Sequence, residues 1–152
     1  MKLLKALAAG NRHWSGSGTN HESERFTGRL VIQPIVNDRA VLLHFTATRL
    51  DGLHLHREST LLGVNVASKL CLWPVMEELP FVAPHVETVN ETTPDGATIV
   101  VFSSGPRDDV GVFREQLTIE LRPDGSLVYA HSWGMPGGHF GDRSSCALQP
   151  EP

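Results

Sequence analysis

The stretch "GLHLHREST", residues 52–60, carries residue types that hold metals and move protons. His54, His56 and Glu58 recur there at every second position. Successive side chains of an extended chain alternate between faces, so a strand here presents all three on one side. Two imidazoles and a carboxylate on one face offer three ligands to one divalent ion. The same set also suits the polar wall of a binding cavity, or a hydrated outer face. The opposite face, Leu53, Leu55, Arg57, Ser59 and Leu61, begins more apolar, so the direction of the His–His–Glu face stays open.

A second constellation lies on two later stretches. In 113–121 the odd positions read Phe113, Glu115, Leu117, Ile119 and Leu121, an interior face that carries a carboxylate with it. In 127–133 the odd positions read Leu127, Tyr129, His131 and Trp133. The turn signal "PDG" at 123–125 makes these stretches antiparallel neighbours, pairing 115 with 133 and 117 with 131. Glu115 is then expected beside Trp133 and diagonally near His131. A buried carboxylate near an imidazole serves as an acid–base pair, as a polar anchor for a ligand, or as a hydrogen-bonded structural pair.

Strands are needed to position these residues, and the chain after its first residues is full of strand signals. Turn signals recur at short intervals: "NDR" at 37–39, "DG" at 51–52, "GVN" at 63–65, "PDG" at 94–96 and 123–125, and "GPRDD" at 105–109. Gly and Pro preset such turns through positive or fixed φ. The pattern between them predicts strands near 12–20, 26–36, 40–50, 53–62, 68–74, 81–89, 97–104, 111–122, 126–133 and 144–149. Even spacing and tight turns indicate an up-and-down meander, and one of about ten strands closes to remove its edges. The expected fold is all-β: a ten-stranded antiparallel up-and-down β-barrel, lipocalin-like, forming a single domain over 1–152. A short helix in "MKLLKALAAG", with Leu3, Leu4 and Leu7 on one side, is expected at one end. Helical patterns between strands, which an α/β fold needs, are missing.

Two further stretches bear on the barrel's ends. Trp73 opens "WPVMEELPFVAPH", where Pro74, Pro80 and Pro84 interrupt regular structure among Val75, Met76, Leu79, Phe81 and Val82. This suits a cavity mouth, a dimer patch or a loop packed over the barrel end. "GMPGGHFGDRSS" has four glycines and reads as a flexible barrel-end loop, not a phosphate loop.

Composition narrows the function classes. Hydrophobic residues make up 40% of the 152 and charged residues 20%, enough for a core. The formal charge of -4, without a Lys/Arg run, argues against nucleic acid and against an anionic membrane. Neither a signal peptide nor a transmembrane run is recognisable, and a cytoplasmic protein is expected. Cys71 and Cys146 sit in apolar settings, "KLCLW" and "SCAL", and read as small buried hydrophobes with free thiols. No GxSxG, HExxH or nucleotide fingerprint occurs, and no residue is assigned a catalytic role.

A Trp-x-Gly-x-Gly opening in "HWSGSGT" at 13–19, followed by this meander, resembles the calycin superfamily of lipocalins, fatty-acid-binding proteins and bacterial relatives. With "LHLHREST", "LCLWPVMEELP", "FREQLTIELRPDGSLVY" and "HSWGMPGG", the likeness is to nitrobindin-like and related bacterial lipocalin-like barrels. The resemblance implies that Trp14 closes one barrel end, with the glycines letting the first strand bend. It also implies haem held by a histidine near the last strand. Here that strand reads "SSCALQ", with Ser144 or Ser145 at the place of the ligand and the nearest histidine, His139, in the Gly-rich loop. This departure counts against haem.

The expected role is binding of a small, mainly apolar molecule inside the barrel, with a homodimer as an open alternative partner. Trp14, Trp73, Phe113 and Trp133 would form apolar wall. Glu115, Tyr129 and His131, with His54, His56 and Glu58, would orient the ligand's polar end. The competing readings are an enzyme using Glu115 and His131 as acid and base, a haem- or metal-binding barrel, and a solidly packed interaction module.

Overall fold

A computed structural model describes all residues, Met1–Pro152. One helix, α1 (Lys2–Ala9), precedes ten strands: β1 (His13–Asn20), β2 (Arg25–Ile35), β3 (Ala40–Arg49), β4 (His54–Val64), β5 (Leu70–Met76), β6 (His85–Thr92), β7 (Thr98–Ser103), β8 (Arg114–Leu121), β9 (Leu127–Gly134) and β10 (Gly141–Pro150). Each strand pairs antiparallel with the next, and β1 closes the barrel on β10 from Trp14↔Pro150 to Asn20↔Ser144. The fold class and strand order are those expected from the sequence.

Strand limits differ most at β6. It begins at His85, not near 81, because Pro80 and Pro84 deny the preceding segment two backbone donors. The β5–β6 seam is correspondingly short, paired only at Cys71↔Val86 and Leu72↔His85. At "GVN" the strand runs on through Gly63, and the turn falls at Asn65–Ser68, where Asn65 Oδ1 accepts from the backbone N–H of Ala67 and Lys69. Gly52, Gly96 and Gly125 adopt φ of 92°, 91° and 83°, the left-handed region that three of the "DG" signals required.

The connections sort by barrel end. Turns at 36–39, 65–69, 93–97 and 122–126 lie at the end covered by α1. Leu3, Leu4, Leu7 and Ala8 are buried there as the helix plugs the barrel, the apolar side read from the sequence. Trp14 lies at this end too, buried, donating Nε1–H to the Gly125 carbonyl at 3.2 Å. The longer segments 77–84, 104–113 and 135–140 rim the opposite end.

Arg114 holds the open rim together. Its guanidinium is buried and donates to the carbonyls of Arg107, Val112, Met135 and Gly138. A Cβ at Gly134 would stand 2.6 Å from its Cζ, so only glycine fits opposite. Cys71 and Cys146 are buried and unbridged.

Candidate functional site

Inward-facing residues near the α1 end are apolar: Leu30, Ile32, Val41, Leu43, Leu62, Leu70, Leu72 and Leu148 are all buried. Further along the same strands, toward the open rim, the interior turns polar and hollow. A cavity of about 440 Å³ opens there, walled by Phe26, Phe45, Ala47, Leu55, Met76, Leu79, Phe113, Trp133 and Met135, with His56, Glu78, Glu115, His131, Arg143 and Ser144 interspersed. The barrel is therefore not packed solid.

Glu58 is the hub of the polar wall. Its side chain is fully buried on β4. Oε2 accepts from His56 Nε2 at 2.7 Å and from His131 Nε2 at 2.8 Å. Oε1 accepts from the Tyr129 hydroxyl and from Thr60 Oγ1 at 3.3 Å. Four donors on one carboxylate explain how a charge survives in this interior. Burial alone would raise the Glu58 carboxyl, but the facing His131 and His56 hold it well below the usual range. Burial first, then the Glu58 charge, pushes the Tyr129 phenol well above its ordinary value, so it remains a donor.

His56 bridges two carboxylates, with Nε2 on Glu58 and Nδ1 2.9 Å from Glu78 Oε2. Ionised carboxylates only accept, so both ring nitrogens carry protons. Burial would lower this imidazole, but its bonds to Glu58 and Glu78 outweigh that and raise it to about 10. His131 turns its Nδ1 to Ser144 Oγ at 3.3 Å. Phe45 covers the cluster, 4.8 Å from the Tyr129 ring and 6.1 Å from that of His131.

The alternation of β4 is broken at its start, and this decides the fate of the "HLH" motif. Ala47 pairs with His56 but Thr48 pairs with His54, so Leu55 is an extra residue in the strand. A bulge of this kind re-aims side chains. Leu55 joins His56 in lining the cavity, while His54 turns out to solvent, 3.4 Å from Thr48 Oγ1. The His–His–Glu face is thus interior for His56 and Glu58 and exposed for His54. His131, from β9, supplies the second imidazole.

Other expectations need correction. Glu115 and His131 do lie on one interior face, with Glu115↔Trp133 and Leu117↔His131 in register as expected. They are not partners. Glu115 Oε1 is 2.9 Å from His85 Nε2, and His131 is bound to Glu58. His85 comes from β6, whose early residues the expected strand limits misplaced. Its Nδ1–H donates to the Ala83 carbonyl at 2.8 Å. Trp73 lies on the outer face of β5, over Gly63, because the inward positions of that strand are Leu70, Leu72, Pro74 and Met76. Trp14 closes the far end and lies outside the cavity. Tyr129 lies behind Glu58, not on the cavity surface.

Phe113 and Trp133 do line the cavity. Arg143 covers the Trp133 ring, its Cζ 4.3 Å from the centroid. Glu78, Thr60, His85 and Phe45 were not singled out from the sequence. Glu78 was within reach, since it continues the inward series 70, 72, 74, 76 by one step.

The fold is similar to solved structures over its full length. The crystal structure of Rv2717c from M. tuberculosis superposes with a TM-score of 0.77 at 16% identity, covering 100% of this chain and 99% of that one. The structure of EF1p2_mFAP2b bound to DFHBI matches with a TM-score of 0.51 at 13% identity, covering 97% of each chain. A de novo designed fluorescence-activating β barrel matches with a TM-score of 0.48 at 14% identity, covering 96% of this chain and 97% of that one. At such identities the likeness is one of fold. Neither a protein-family model nor a curated protein matches the chain.

The residues present do not fit a haem ligated from the last strand. Ser144 lines the cavity where that ligand was expected, and its hydroxyl is not among haem's usual axial groups. The Nε2 atoms of His56 and His131 face Glu58 across 2.7 and 2.8 Å, which leaves no room for a macrocycle between them.

Proposed function

We propose that this protein binds a small, mainly apolar molecule in the open half of the barrel, with the molecule's polar end against His56 and His131, which Glu58 holds from behind. The observation that carries the reading is the cavity itself. Its volume of about 440 Å³ lies in the range of small-molecule sites, and its wall is largely aliphatic and aromatic with a few polar groups interspersed. Apolar area supplies affinity and the few polar groups fix orientation. That EF1p2_mFAP2b carries DFHBI supports the use of such a barrel as a ligand container. Glu115, which lines the cavity and is bonded to His85, offers a further polar contact. We further propose a cytoplasmic calycin-type barrel of one domain, with exposed Val75, Phe81 and Val82 as the face for a homodimer.

A titration with cis-parinaric acid tests the reading. Trp133 lines the cavity, while Trp14 and Trp73 lie at the closed end and the outer face. Saturable one-to-one binding with energy transfer from tryptophan is expected. The Trp133→Phe variant should bind with most of that transfer lost, and Ala47→Phe, which fills the cavity, should not bind. Non-saturable uptake, or equal binding by Ala47→Phe, overturns the proposal.

A further inference from the structure

We propose that His56, Glu58 and His131 form a binding site for a divalent transition metal of the zinc class, with its open coordination position facing the cavity. The three ligand atoms, two Nε2 and Oε2, all lie within 4.8 Å of one another. The set is two imidazoles and one carboxylate, a combination that suits zinc. Both imidazoles point Nε2 at the same oxygen, across 2.7 and 2.8 Å. Tetrahedral metal–ligand bonds of about 2.0–2.1 Å place ligand atoms roughly 3.3 Å apart. The two imidazole–carboxylate separations therefore need to widen by about half an ångström, while the two imidazole nitrogens, within 4.8 Å of one another, draw in toward the same spacing.

The atoms behind these ligands strengthen the case. Metal-bound histidines almost always donate their other N–H to a carboxylate, backbone carbonyl or water, and bound carboxylates are themselves hydrogen-bonded. Here His56 Nδ1 is held by Glu78 and His131 Nδ1 by Ser144. Glu58 Oε1 is held by Tyr129 and Thr60, which leaves Oε2 for the ion. Each ligand is thus oriented from behind, by groups that an ion would not disturb. Charge also balances: a divalent ion would face the two carboxylates Glu58 and Glu78. On binding, the Nε2 protons of His56 and His131 leave to solvent and two nitrogen–metal bonds replace two hydrogen bonds. His56 and His131 line the cavity, so a fourth ligand would be a water or a group on a cavity-bound molecule. The inference does not depend on the apolar-ligand reading, because the metal is measured without any organic ligand.

The test is a titration of tag-free, chelator-treated protein with Co²⁺ and Zn²⁺ alone, read by visible absorption and native mass spectrometry. One ion per chain is expected, with Co²⁺ bands of a nitrogen/oxygen site of four or five ligands. His131→Gln should weaken binding at least a hundredfold. Glu78→Gln changes a half-exposed residue, so folding is safe, and should weaken binding about ten- to hundredfold. His54→Ala, on the solvent side of the same strand, should leave binding unchanged, and far-ultraviolet circular dichroism should show each variant folded. No ion bound by the wild-type protein at millimolar concentration overturns the proposal. So does binding that survives both His131→Gln and Glu78→Gln, or that is lost in His54→Ala.

Discussion

The two halves of this barrel are built from the same ten strands and have opposite interiors. The half under α1 is dry and filled, with Leu30, Ile32, Leu43, Leu62, Leu70 and Leu72 interdigitating under the plug of Leu3 and Leu7. The half at the open rim is hollow; its walls carry His56, His131 and Glu115, with Glu58 and His85 buried behind them. The filled half needs no partner to be stable. The hollow half gives up packing, and its buried charges survive only because each is hydrogen-bonded. A strand that runs Glu58, Thr60, Leu62 from one half into the other records the division in its own sequence. Apolar packing holds one end of the barrel, and a hydrogen-bonded polar cluster beside open space holds the other.

Substitutions in the two halves sharpen this contrast. Glu58→Ala is expected to be the most damaging, at roughly 3–5 kcal/mol, because it strands His56, His131, Tyr129 and Thr60 without their common acceptor. Urea unfolding would show it as a lowered midpoint. In the filled half, Leu72→Ala opens a void that its neighbours cannot close and should cost about 3 kcal/mol in the same assay. Leu55→Ala makes the same chemical change in the hollow half and should cost less than about 1 kcal/mol, since that side chain already borders open space. Equal losses for the two leucines would erase the distinction between the halves.

The smallest expected effect concerns Cys146. It is packed against Gly28 on the barrel wall, and burial pushes its thiol up to about 11. In the unfolded chain the thiol ionises near its ordinary value, whereas the folded protein keeps the proton until about pH 11. Stability from this group is therefore intact below the ordinary thiol range and declines as pH rises from there toward 11. Iodoacetamide at pH 8.5 (about the ordinary thiol value) should label Cys146 only as fast as the protein unfolds. Rapid labelling in native buffer would contradict the packing described.

Much of this was legible in the sequence. Turn chemistry at "PDG" and "DG" set the meander, alternation in 113–121 and 127–133 gave the interior faces, and the tight turn between them gave the pairing of Glu115 with Trp133. The site was half legible. His56, Glu58, His131 and Trp133 stood out by type and spacing. Their partners did not, because contacts across a closed barrel join residues such as Glu58 and His131 that no local pattern connects. The bulge at Leu55 was also invisible, since nothing in "LHLHRE" marks where alternation fails, and it is this bulge that sends His54 outward. Trp73 misled for a related reason: a large aromatic suggests an interior, but period-two counting from Leu70 and Leu72 puts it outside.

Methyl-resolved NMR of the protein titrated with cis-parinaric acid would test the division between the halves most directly. The account predicts shifts at the methyl groups of Ala47, Leu55, Met76, Leu79 and Met135, with those of Leu30, Ile32, Leu62, Leu70 and Leu72 unmoved. Shifts centred on the second group, or confined to outer residues such as Val75 and Val82, would contradict it.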